Sequence, residues 1–300
     1  MNWKKIIAFF TAIVFISISA CNLSASVPAS GNAVATAVAQ TMSAQELSAS
    51  ATAVVQTMSA QPILSASATP IVTPTGIFPA PNTSCNKITL YVPPALASGS
   101  TCKTGVDEGM GPGNSLANAD QLLLQGYALS GRPDNPQLLL YSVQDLQQAV
   151  SSFTITDLQT LINGQAPGVQ DLPYLPIGES AQIIRVKYKV VSFRNGTGIR
   201  YLMQQGQMTY PINNQNIFYT FQGLTSDGKY WVSVRLPISN PVLPENGNTL
   251  PNGESMSTFS QNFPAYIAAL TSQLNAQTGE SFSPPIPALD TLISSITIQP

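Results

Sequence analysis

Histidine is absent from this 300-residue sequence and charge is scarce. Its 12 basic and 14 acidic side chains make up 9% of the chain, against about 25% in an ordinary soluble domain. Without histidine the chain lacks the commonest general base, the usual activator of a nucleophile and the commonest transition-metal ligand. Two of its few cations, Lys4 and Lys5, stand at the extreme N-terminus. Without those two lysines 10 basic side chains stand against 14 acidic ones, a net charge near -4 that gives no sign of the positive field nucleic acid requires. Cysteine is limited to Cys21, Cys85 and Cys102, too few without histidine for a recognisable zinc pattern.

What is present begins with an export signal over residues 1–20. Lys4 and Lys5 precede an apolar stretch from Ile6 to Ile18, and the small residues Ser19 and Ala20 lead to Cys21. This apolar stretch is too short to span a bilayer and has the layout of a cleaved signal peptide. The run Ile18-Ser19-Ala20-Cys21 resembles the lipobox of bacterial lipoproteins. That resemblance implies cleavage before Cys21 and acylation of its thiol with fatty chains such as palmitate. The protein would then be held on the extracytoplasmic face of a bacterial membrane, or at the cell surface, through its acyl chains. Each buried CH2 contributes about 0.8 kcal/mol, so two or three chains anchor firmly without a transmembrane helix. Asn22 alone does not distinguish an inner from an outer membrane.

With Cys21 lipidated, Cys85 and Cys102 are an even pair in an oxidising compartment, and the expectation is a disulfide; two free thiols are the alternative. Closing so short a loop would contribute about 3 kcal/mol in the chain-entropy account.

Residues 21–81 read as a lipidated N-terminus and linker. Ala, Ser, Thr, Val, Gln and Pro dominate, and Glu46 is the only charged residue. ATAVAQTMSAQ at 35–45 recurs as ATAVVQTMSAQ at 51–61. A sixteen-residue period rotates the second copy's apolar stripe nearly to the opposite side of a helix, which disfavours a continuous coiled-coil seam. As a flexible spacer the segment would span about 40 to 45 Å.

From residue 82 to 300 strand-like runs alternate with turn signals. Lys87 to Val92 and Leu138 to Val143 read as strands, and Gln121 to Leu129 as an apolar run of either type. In QIIRVKYKVVSF (182–193), alternation places Ile184, Val186, Tyr188 and Val190 on one face and Arg185, Lys187 and Lys189 on the other. Gly196 and Gly198 offer positive φ for a turn into IRYLMQ, and Ser226-Asp227-Gly228 joins IFYTFQ to KYWVSVRL. Short helices are expected at 143–151 and 156–163. A long one after Glu254 has its apolar stripe at Met256, Phe259, Phe263, Ile267, Leu270 and Leu274, a kink or break at Pro264 and a stop at Gly279. The fold class is α+β: an antiparallel meander with the long C-terminal helix packed on it.

The ending, a helix then ALDTLISSITI, resembles PsbP-like domains. Over its full length the chain also resembles uncharacterised bacterial lipoproteins that join such a stalk to an α+β domain. YPINNQNIFYTFQGLTSDGKYWVSV and FPAYIAALTSQLNA carry that likeness, which implies an extracytoplasmic address and no established activity.

Catalytic signals are weak. Ser-x-x-Lys occurs as Ser100 with Lys103 and as Ser226 with Lys229, neither at the start of a helix. Asp107, Glu108, Glu179 and Asp227 show no diagnostic spacing, and the loop GVDEGMGPGNS matches neither an EF-hand nor a P-loop. Five cations, Arg185, Lys187, Lys189, Arg194 and Arg200, crowd sixteen positions and read as a solvated strand face or, less favoured, a surface for anionic lipid. Phe218 and Trp231 fall out of phase with their apolar neighbours. Beside Asn213, Asn214 and Arg235 they could form a platform for a sugar or peptide, with packing under the long helix as the alternative. The expectation is a lipid-anchored, non-catalytic binding or accessory module without metal or cofactor, for an envelope protein or a saccharide or peptide ligand. A solute-binding receptor of a transport system and an envelope hydrolase without histidine are the alternatives.

Overall fold

In a computed structural model of the chain, residues 79–106, 118–149, 152–168, 171–177 and 180–300 are described. The signal segment, Cys21, the repeats, Asp107, Glu108 and Glu179 lie outside them. All the described residues belong to the unit Ile71–Pro300.

The described residues of this unit form ten strands and four α-helices. Strands β1 (Thr83–Cys85), β2 (Ile88–Leu90), β3 (Gly99–Val106), β4 (Ala119–Gln125) and β5 (Gln137–Ser142) are followed by helices α1 (Val143–Ala149) and α2 (Ser152–Ile162). Next come β6 (Ala181–Phe193), β7 (Gly196–Gly206), β8 (Phe218–Thr225) and β9 (Tyr230–Pro237). Helix α3 (Met256–Ala276), helix α4 (Ile286–Ser295) and β10 (Thr297–Ile298) close the chain.

Seven strands form one sheet in the order β3-β4-β5-β9-β8-β7-β6, every neighbour antiparallel. Two meanders, β3–β5 and β6–β9, are thus fused where β5 meets β9. The α1–α2 connection carries the chain from the middle of the sheet to its far edge. A small sheet, β1-β2-β10, ties the start of the domain to its end.

Both faces of the large sheet are covered, which explains why every residue of β8 is buried. On one face Tyr219, Phe221, Val232 and Val234 pack in a core with Leu270 and Leu274 of α3 and Leu289 and Ile293 of α4. On the other, Tyr201, Phe218 and Trp231 pack with Leu146 of α1 and Leu158 of α2. The expected class is therefore present, with a second helical layer on the face opposite the long helix.

Four local expectations are corrected. Alternation along β6 breaks where Val186 pairs with Leu202 and Lys189 with Arg200, leaving two residues of β6 opposite one of β7. This bulge, with Lys187 at φ 58°, reverses the phase, so Tyr188 packs against the second core and Val190 is exposed. The ammonium of Lys187 donates to the carbonyls of Asn275 and Gln277 at the end of α3, where a cation suits the helix dipole. That contact lies two residues before Gly279, which sits in a separate short turn and does not end the helix. Pro264 does not divide α3: it and Ser260 lie on the exposed side, where the carbonyl the proline cannot serve reaches water. Ser255 caps this helix by accepting from the Thr258 N–H at 3.2 Å.

Gly196 and Gly198 do not supply positive φ to the β6–β7 turn. They permit close packing instead: a Cβ on Gly198 would stand 2.3 Å from the Gln222 carbonyl and 2.5 Å from the Cα of its cross-strand partner Gly223. The rings of Phe193 and Phe221 fill the space over these glycines, edge to face at 5.9 Å.

Candidate functional site

The proposed aromatic platform is a core. Phe218 is 2% exposed and Trp231 fully buried, because α1, α2 and the segment 171–177 cover the sheet face they occupy. They do not pack under the long helix either. The indole N–H of Trp231 donates to Gln222 Oε1 at 2.8 Å, and the same oxygen accepts from the Leu175 N–H at 3.1 Å. Arg235 belongs to this buried system, its guanidinium 4.7 Å from the Phe218 ring centre. It donates to the Tyr174 hydroxyl at 2.7 Å and to Asp134 at 2.6 Å.

Asn214 is likewise structural: it accepts from the Asn240 N–H at 2.8 Å and donates to the Leu243 carbonyl at 3.1 Å, pinning that loop. Of the five predicted residues, Asn213 borders a cleft. Its own side chain is internally satisfied, accepting from the N–H groups of Gln215 and Asn216 and donating to the Pro211 carbonyl.

This cleft, of about 290 Å³, opens where the end of β7 meets the loops at 207–217 and 247–248. Its hydrogen-bonding wall is made of the amides of Gln204, Gln215, Asn216 and Asn248 beside Asn213, and Gln205 lies at its edge. Gln204 is held in place, accepting from the Asn213 N–H at 3.0 Å and donating to the Pro211 carbonyl. Gln215, Asn216 and Asn248 are exposed, and their side-chain amides have no partner among the described residues. Met208 and Tyr210 line the opening at 62% and 43% exposure, the Tyr210 hydroxyl 3.7 Å from the Met208 sulfur. Among the described residues that line it, none carries a charge.

A second cleft, of about 250 Å³, lies between α2 and residues 171–177 and 180–182. Thr154 and Asp157, one turn apart on α2, face it together with Ser180, Gln205 and Ile177, the last 43% exposed. Asp171 also lines it but is engaged by Arg185 at 3.2 Å. A third, more apolar groove of about 550 Å³ runs between α3 and the loop 241–251, lined by Val242, Leu250, Tyr266 and Leu270.

The remaining sequence candidates are dispersed. Ser100 and Lys103, three apart on a strand, point to opposite faces. Lys229 pairs with Asp227 at 3.5 Å across the turn that contains Ser226. The five clustered cations do not form one face: Arg185 meets Asp171, Lys187 caps α3, and Lys189 and Arg200 meet Asp290. Among the described residues no three His, Cys, Asp or Glu side chains gather as a metal set, and no helix is long and apolar enough to cross a membrane. The disulfide is present: Cys85 of β1 is bonded to Cys102 of β3, their Cα atoms 5.3 Å apart.

No local motif in the sequence marks Met208, Gln205 or Asn248. The available signal was compositional, an amide-rich, uncharged run from Gln204 to Asn216 containing Met208 and Tyr210. No protein-family model matches the chain, and no curated protein or solved structure matches it.

Proposed function

We propose that this protein is a lipid-anchored extracytoplasmic binding module that holds an uncharged, polyhydroxylated ligand, a saccharide, in the amide-lined cleft. The carrying observation is the pairing of unengaged amides at Gln215, Asn216 and Asn248 with the exposed Met208 and Tyr210 in one uncharged cleft. Each amide offers two donors and an acceptor, matching hydroxyls that both donate and accept. The tyrosine ring supplies a flat apolar surface for the C–H face of a sugar. Amides neither take up nor release protons near neutrality, which fits recognition without turnover. The lipobox-like run at Cys21 supports the anchor, and the disulfide between Cys85 and Cys102 supports an oxidising compartment.

The test is a thermal-shift titration of the full chain with neutral sugars, peptides and anionic sugars. Neutral sugars should raise the midpoint by several degrees, since a ligand at 100 times its Kd adds about 2.7 kcal/mol. Tyr210→Ala should abolish the rise. A shift with peptides and none with sugars sinks the saccharide reading. The anchor is checked separately by fractionation: Cys21→Ser should release the protein from membranes, and retention of the variant would remove acylation as the tether.

A further inference from the structure

The amide cleft and the second cleft meet at one residue, Gln205, which lines both. The side chain of Gln205 is in phase with Tyr201 and Met203, which pack in the second core, and so turns towards the second cleft. Its neighbours Gln204 and Gly206 border the amide cleft. The β6–β7 ladder stops here, Ala181 opposite Gly206 being its last pair, so the two clefts lie on either side of the end of a strand pair. Neither is large. At about 290 and 250 Å³ each falls just short of the 300 to 1,000 Å³ of typical ligand sites, and together they fall inside that range.

Their chemistry repeats. Each sets exposed apolar surface, Met208 and Tyr210 in one and Ile177 in the other, beside side chains that can bond hydroxyls. In the second cleft these are Thr154, Ser180 and the carboxylate of Asp157, which has no protein partner among the described residues. A glycan repeats the same pattern unit by unit, an apolar ring face beside hydroxyl edges. The carboxylate adds polarity of direction: it accepts from neighbouring hydroxyls and repels an acidic sugar.

We propose that the two clefts are subsites of one site joined at Gln205, and that the ligand is an extended neutral oligosaccharide spanning both. This rests on the saccharide reading above. Filling the second subsite from a ligand already held in the first costs little further association entropy, so affinity grows with chain length until both are occupied.

The experiment is isothermal titration of the full chain, in detergent and with its disulfide intact. The probes are β-1,4-linked N-acetylglucosamine and glucose series of one to six units, together with an oligomer of uronic acid. Kd should tighten at least tenfold between one unit and four in a neutral series, and the uronic acid oligomer should bind more weakly. Asp157→Ala should collapse the affinity of long oligomers towards that of the single sugar, and Asn248→Ala should weaken every length. Asn248 is exposed and Asp157 half-buried, and unchanged thermal midpoints without ligand would confirm that the variants fold. Equal affinity for one unit and six overturns the joined-subsite proposal and leaves the saccharide reading standing. Absence of binding at every length in both series overturns the two together.

Discussion

Arg200 of β7 forks onto Asp290 of α4, its Nε and one terminal nitrogen reaching the two carboxylate oxygens at 3.1 and 3.0 Å. The guanidinium also donates to the Lys187 carbonyl in the β6 bulge, and Asp290 accepts from the Tyr219 hydroxyl at 2.9 Å. One ion pair therefore fixes α4, the bulge and the interior strand β8 to one another. Burial, reinforced by the nearby Asp290 carboxylate, holds the Tyr219 phenol well above its ordinary pKa, so it stays a donor.

Asp290→Ala should be severe, because it leaves the Arg200 guanidinium inside the domain without its counter-charge. Loss of one partner of a buried pair costs about 3 to 5 kcal/mol. Replacing both, Arg200→Met with Asp290→Leu, should recover a large part of that loss. Chemical denaturation of the two variants checks the expectation, and equal losses in both would show that the charge left behind is not the cause.

Reduction of Cys85–Cys102, or Cys102→Ser, should lower stability by about 3 kcal/mol, the value for closing a loop of this size. The bond joins β1 of the small sheet to β3 at the edge of the large one. A thermal midpoint lower by roughly 6 to 12 °C under reducing conditions is expected for a domain this large.

Gly198→Ala should destabilise although it adds one methyl group. The new carbon would overlap the Gln222 carbonyl and the backbone of Gly223 rather than a movable side chain. Overpacking of this kind costs about 1 to 3 kcal/mol, and a backbone clash lies at the upper end. Gly228→Ala is a useful contrast, since φ there is 70° and no atom lies within 4 Å of the added carbon. Its loss would come from backbone strain alone.

The Asp227 carboxylate sits below its ordinary pKa, chiefly because it accepts from the Thr225 hydroxyl and also from the Lys229 N–H. A carboxylate with a depressed folded value stabilises above its unfolded pKa near 3.8, and that contribution disappears as pH falls through the folded value. Asp227→Asn should flatten the fall in thermal midpoint below about pH 4, by only a small amount because the group is exposed. An unchanged acid limb in the variant would rule out this turn as a contributor.

The hairpins β6–β7 and β8–β9 were legible because period-two alternation and the Asp227-Gly228 turn are local signals. The burial of Phe218 and Trp231 was not. Reading them as out of phase assumed that only one sheet face is covered, whereas α1 and α2 return across the other face through contacts distant in sequence. The same covering explains Thr220 and Gln222, polar residues in a wholly buried strand. Gln222 bonds Trp231, Ser233 and Leu175, so a run that reads as mixed is satisfied inside. The bulge at Lys187 was hidden for a different reason. An extra residue leaves no mark in composition, and only the pairing with β7 exposes it. The clefts collect residues from Thr154 to Asn248, which no single window of sequence contains.

Tryptophan occurs only at Trp3 and Trp231. A chain processed at Cys21 keeps Trp231 alone, dry and tethered through Gln222 to Leu175 beside the segment that walls the second cleft. The intrinsic fluorescence of such a chain is then the signal of a single indole. Its emission should be blue-shifted in the folded state, and any ligand that moves residues 172–177 should change it without a label.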